Sequence, residues 1–343
     1  MLNKPRLCIL FTLSYCMSVF MGCGAGSVST SLNIPATTKS LTIDLPKARN
    51  GDIVSMINTA DDYIHGRGGI VDYSQALQWL QKASDEGSLD AKALIGAMYY
   101  YGYGVKRDPK QVLTIEAPLA EKGVAAAEAF MALAYEFGVN VNEDLPKAAA
   151  LLQKAADGGD ATGMAHLGVL YLRGDGVPQS VTKAKTYFEA SVARGNDWGE
   201  VYLGEMYERG TGMSAQYANA AQLYQAAAIQ QNFLAEYRLG KLYQDGNGVP
   251  QNYSKAFAWY YEAAKHQYPP AEVALGNLYN LGLGVPADQE KAYAWTSLAA
   301  KSGDESAQAR LVLMASIMSS AQQTQAEEEV VKVLSKRGTP NHL

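Results

Sequence analysis

The chain has 343 residues, 48% hydrophobic and 18% charged, with a formal net charge of −5. That length exceeds one ordinary domain, so it reads as two domains or one repetitive array. Setting aside Lys4 and Arg6 of the leader, which holds no acid, takes the charge from −5 to −7; such a body repels phosphate backbones, so no nucleic-acid partner is expected.

The leader comes first. Residues 1–22 have the form of a signal peptide: a cationic start, Met1 to Arg6, then an apolar run from Leu7 to Met21 that is too short to span a bilayer comfortably. It ends in Phe20-Met21-Gly22-Cys23, which resembles a bacterial lipoprotein processing box, with Phe where Leu is usual. Cleavage there would leave Cys23 as an acylated amino terminus, carrying palmitate-type chains that anchor the protein in a membrane. Gly24 in place of Asp points to the outer membrane, facing the periplasm. The other reading is an ordinary secretory signal cut nearby, as after Ala25. The remaining cysteines are Cys8 and Cys16, so the body holds no disulfide framework, zinc–thiolate site or cysteine nucleophile. Residues 23–50, rich in Ser and Thr with Pro35 and Pro46, read as a flexible tether.

From residue 51 the chain repeats. Tyr63, Tyr99, Tyr135, Tyr171, Tyr207, Tyr243 and Tyr279 recur every 36 residues and account for a third of the 22 tyrosines. Three residues before each stands a small residue, as in Gly96, Ala132 and Gly168. Three residues after each stands a glycine, Gly66 to Gly282, and a second follows two positions later except at Asn140, the side chain that best tolerates positive φ. Each unit therefore reads as helix A, a Gly-x-Gly turn, and helix B, the first glycine ending helix A in a left-handed cap. Asp72, Asp108, Asp144, Ser180, Asn252 and Asp288 occupy the N-cap of helix B, with Gln216 the weak member. Small columns (Ala91, Ala127, Gly163) allow close backbone approach, and Leu167, Leu203, Leu239 and Leu275 fill the space between units. No hairpin buries its apolar face alone, so stacking supplies the core. Pro118, inside helix B of the second unit, either kinks that helix or makes it restart. Residues 306–343 read as a capping helix pair and tail.

The motif Leu167-Gly168-x-x-Tyr171 resembles the tetratricopeptide pattern. With the added Gly246-x-Gly-Val249 and Lys255-Ala-x-x-Trp259, repeated at Gly282 to Val285 and Lys291 to Trp295, residues 51–305 resemble Sel1-like repeats. The resemblance implies an all-α fold, a right-handed α/α superhelical solenoid of about seven 36-residue units. It also implies a non-catalytic scaffold that holds a partner protein or peptide in a concave helix A groove. Relatives suggest two roles: assembly scaffolding at the envelope, or immunity against a type VI secretion phospholipase toxin.

A search for chemistry yields little. His65, His166, His266 and His342 fall in different registers with no His-Glu-x-x-His, so no metal is expected. There is no Gly-x-Ser-x-Gly elbow and no phosphate loop ending in Gly-Lys-Ser/Thr, and the tyrosine column reads as core. Neither cofactor nor enzymatic activity is expected. The alternative from another class is an enzyme acting on cell wall or β-lactams, as credited to cysteine-rich relatives whose disulfides are absent here.

Binding information should lie in the helix A columns that vary. Aligned with the tetratricopeptide pattern, the inner columns give Tyr101, Phe137, His166, Arg173, Trp198, Tyr202, Glu205, Arg209, Tyr237, Arg238 and Lys241. Aromatics mixed with Arg suit a protein partner, although any one position suits a solvated helix face equally well. Trp198 and Arg238 stand out as candidate anchors whose loss would leave folding intact.

Overall fold

The computed structural model describes residues 39–65, 71–106 and 108–336, so the leader, Cys23 and residues 24–38 of the tether lie outside the described residues. These residues form 17 helices and no strand. In chain order they are α1 (Lys39–Arg49), α2 (Ile53–His65), α3 (Tyr73–Asp85), α4 (Leu89–Tyr101), α5 (Pro109–Glu121), α6 (Ala125–Phe137), α7 (Leu145–Asp157), α8 (Ala161–Arg173) and α9 (Val181–Val192). Then follow α10 (Asp197–Arg209), α11 (Tyr217–Ile229), α12 (Phe233–Asp245), α13 (Tyr253–Lys265), α14 (Pro269–Leu281), α15 (Gln289–Lys301), α16 (Glu305–Ile317) and α17 (Ser320–Lys336). The chain divides into two compact units, the first ending at Leu203 and the second beginning at Gly204. Both are stacks of antiparallel hairpins, which makes the fold an all-α solenoid of helix-turn-helix repeats.

One hydrogen bond recurs in every hairpin and explains the tyrosine–cap register. The backbone N–H of Asp72, Asp108, Asp144, Ser180, Gln216, Asn252 or Asp288 donates to the carbonyl of the column tyrosine nine residues earlier, at 2.8–3.0 Å. It closes the turn while the cap side chain engages helix B: Asp144 accepts from Lys147, Ser180 from Lys183, Asn252 from Lys255. Gln216 makes no such bond, as its length and flexibility predict. The lysine of the cap turn then lies over the tyrosine ring, with Lys147 4.1 Å from Tyr135 and Lys183 4.8 Å from Tyr171.

The turn itself needs left-handed backbone. Asn140 has φ 58°, matching its glycine counterparts. At Gly248 a Cβ would also lie 2.4 Å from the backbone carbon of Tyr217, at the start of the preceding helix B. Gly248→Ala therefore meets both positive φ and rigid backbone and should cost about 1–3 kcal/mol, read from urea unfolding; no measurable loss would mean that the repeats do not pack through this turn.

Within hairpins the small column trades volume with helix B. A Cβ on Gly168 would sit 2.5 Å from Phe188, and one on Gly204 2.7 Å from Tyr224. Where the small column carries Ala60 or Ala132, the corresponding helix B position carries Leu80 or Leu152. Glu116 breaks the rule. It occupies this apolar position in α5 at 0% exposure, against Gly96, and neither carboxyl oxygen has a hydrogen-bond partner. Pro118 lies within the last turn of α5, yet α5 runs unbroken through it to Glu121, so the helix does not restart.

Two ends differ from the sequence expectation. The last part of the stretch read as tether is helical, because α1 buries Ala48 to 1% exposure and packs Leu45 on the core, and this burial outweighs Pro46. At the other end α16 packs on α15, joining Ala307 to Ala299 and Ala300. The final helix α17 also packs against α15 instead of running along α16.

Candidate functional site

The inner columns meet different fates in the two units. In the first, Tyr101 ends α4 and its side chain lies outside the described residues, Phe137 is half-buried and Arg173 is exposed. His166 is buried, its Nδ1 3.9 Å from Glu136 Oε2, too long for a hydrogen bond. Burial, with help from the Arg173 charge, pushes its pKa down to about 4, leaving a neutral core imidazole at pH 7. Trp198 is 0% exposed, its ring centroid 5.8 Å from that of Tyr202, which in turn lies 5.4 Å from Phe188. His166 and Trp198 are therefore core residues, which corrects their placement on a binding face. The neighbouring helices cover positions that periodicity alone leaves open.

The second unit gathers the rest. Arg238 on α12 donates from Nη2 to Glu205 Oε1 at 2.6 Å, and its Nη1 lies 3.8 Å from Glu208 Oε2. Tyr224 OH donates to Glu208 Oε2 at 2.6 Å, and burial with the two carboxylates raises its pKa. Burial disfavours charge on Arg238, but Glu205 and Glu208 outweigh it and the net shift is upward. The guanidinium is thus engaged within the stack rather than held out for a partner. Arg209 and Lys241 remain exposed. Tyr237 packs on Tyr260 at 5.6 Å and edge-on against Tyr268 at 5.3 Å.

Beside this cluster opens a pocket of about 640 Å³. Its polar rim includes Lys241, Asp245 and Asn277, its apolar wall Leu278 and Leu281, and Arg310 on α16 closes one side. Asn277, Leu281 and Arg310 were missed by the sequence reading, yet they belong to the same three inner columns as Lys241, Asp245 and Arg238, carried one or two periods further. Lys241 and Arg310 can meet a carboxylate while Leu281, 64% exposed, offers apolar contact. Among the described residues no group of three or more His, Cys, Asp or Glu could hold a metal ion, and no helix is long and apolar enough to cross a membrane.

Comparison with known proteins bears on the repeats directly. No curated protein matches the chain. Among solved structures, a Sel1 repeat protein from Oxalobacter formigenes is similar at 27% identity and a TM-score of 0.56, covering 92% of this chain and 94% of that one. The Escherichia coli protective antigen c5321 matches at 23% identity and a TM-score of 0.45, over 88% of this chain and 72% of its own. The immunity protein Pa5087 from Pseudomonas aeruginosa matches at 20% identity and a TM-score of 0.46, over 62% and 81%. The Sel1 repeat model itself fits residues 53–88, 89–111, 125–160, 161–196, 199–232, 234–268 and 269–304, its one long break taking in most of α5 and the turn after it. With the 36-residue register, the tyrosine-carbonyl closure and the turn glycines all accounted for by those units, the chain belongs to the Sel1 repeat family.

Proposed function

We propose that the chain is a non-catalytic docking scaffold that holds a protein or peptide partner on the inner columns of its second unit. The observation that carries this reading is the pocket beside α12, α14 and α16, where cationic Lys241 and Arg310 flank an exposed Leu281. An apolar anchor with a nearby carboxylate suits that arrangement, because the anchor contributes burial and the charge contributes orientation. Arg209 on α10, 63% exposed in its side chain and 4.0 Å from Glu205, adds a further exposed cation to the same unit without lining the pocket. The leader supports attachment at the bacterial envelope through a lipidated Cys23, with the body in the periplasm.

The double variant Lys241→Glu with Leu281→Asp should lose the partner that the unaltered chain captures from its native envelope extract. Both side chains are exposed, so the far-UV melting curve should stay within about 0.5 kcal/mol of the original. Quantitative mass spectrometry of the captured material checks this, and equal recovery of the same partner by both forms would overturn the reading.

A further inference from the structure

We infer that α16 is a self-association surface through which two copies of this chain pair, helix against helix and antiparallel. No residue of its exposed apolar stripe lines the docking pocket, and the two surfaces share only Arg310.

Two apolar faces run along α16. One is used within the chain, burying Ala307 and Met314 to 1% and 8% exposure. The other holds Ala309, Val312, Leu313, Ser316 and Ile317, spaced i, i+3, i+4, i+7, i+8, which is the spacing by which a helix covers one side with another helix. All five are exposed, with Val312 at 70%, Leu313 at 69% and Ile317 at 79%. Most other exposed large apolar side chains are scattered singly along the chain, which needs no explanation.

The register shows why this stripe is bare. Val312 continues the small column of Gly204, Gly240 and Gly276, which in the other hairpins faces helix B. The helix that follows α16 packs on α15 and touches α16 only near its carboxyl end, where Gln323 donates to the carbonyls of Ala315 and Met318, so among the described residues that side stays exposed. A large β-branched side chain stands where the helix B contact elsewhere takes only glycine or alanine. Such a position is shaped to meet something other than its own hairpin.

Charge points to a second copy as the occupant. No Asp, Glu, Lys or Arg occurs from Leu311 to Ala326, so the stripe offers a charged partner no complement and offers a copy of itself no repulsion. A two-fold contact needs that self-compatibility. If the two helices cross at Leu313, Arg310 of one copy lies level with Ser316 of the other, near the carboxyl end of α16 at Ile317. Cations are favourable at that end of a helix dipole, and the contact occurs twice by symmetry. One helix face per copy is small by the standards of stable dimers, so the association should be weak, about micromolar.

Sedimentation velocity on the purified chain, from low to high micromolar, should show a reversible change from one copy to two. Leu313→Glu and Leu313→Lys, each alone, should remain single at every concentration with unaltered melting. Mixing these two variants should restore the doubled mass, because the substituted residues then oppose each other with opposite charge. A wild-type chain that stays single at the highest concentration overturns the inference. So does a dimer indifferent to both substitutions, or a mixture that fails to pair.

Discussion

Trp198→Ala should lower the stability of the chain by about 3–5 kcal/mol, among the largest losses any single truncation can cause here. The ring is 0% exposed and continues an aromatic series through Tyr202 to Phe188, itself 0% exposed. Packed interiors relax only partly, so removing an indole leaves most of its volume as a cavity whose walls lose their contacts. In a stack of hairpins each layer depends on its neighbours, and the loss should spread to adjacent repeats instead of staying local. Urea unfolding followed by far-UV circular dichroism measures it. A shift under about 1 kcal/mol would return Trp198 to the exposed face where periodicity had placed it. The corresponding test of a true surface residue is Lys241, whose truncation should leave the same curve nearly unmoved.

A second substitution should act in the opposite direction. Glu116→Leu is expected to stabilise the chain by roughly 1–3 kcal/mol near neutral pH, since it removes a buried polar group that has no hydrogen-bond partner. The leucine would reproduce the residues at the equivalent positions, Leu80 and Leu152. Burial raises the Glu116 pKa well above the ordinary carboxylate range, so the folded chain keeps it protonated where the unfolded chain ionises it. The sign follows. Below the unfolded pKa, about 4.3, both states hold the proton and stability does not change with pH. Above it the unfolded state loses its proton first, and the unaltered chain becomes steadily less stable until the pH passes the raised folded value. Glu116→Leu should cancel that decline, so its advantage should be larger at about pH 8 than at about pH 5. A constant advantage across that range would mean that the carboxyl finds water or a partner in solution. The substitution also bears on the family pattern, because the repeat model breaks off within the helix that carries Glu116 and Pro118.

Arg238 illustrates a limit of reading columns as binding information. Its column is variable, and its neighbours Tyr237 and Lys241 are of the types that partners favour. Yet its guanidinium is held by Glu205 from the preceding helix A, 33 residues away. Variation in an inner column records pairing between successive repeats as well as recognition. His166 likewise packs beside Glu136 of the preceding repeat, buried but without a hydrogen bond to it. The residues left exposed are those one column over or further along, Arg173, Arg209, Lys241 and Leu281, together with the α16 stripe.

What the amino-acid order settled alone was the set of features enforced by local backbone chemistry. A left-handed turn demands Gly or Asn, a helix start demands an acceptor side chain, and a close approach demands a small residue. Those demands recur every 36 residues, so repeat number, helix boundaries and even the conformation of Asn140 were legible. Burial was not, because it depends on which neighbour covers a face. Only the assembled stack sealed Trp198 and His166, drew α1 out of an apparent tether by burying Ala48, and sent α17 onto α15 so that Val312, Leu313 and Ile317 stayed bare. A helix carries its own hydrogen bonds wherever it lies, so its sequence can specify that it forms without specifying what it will lie against.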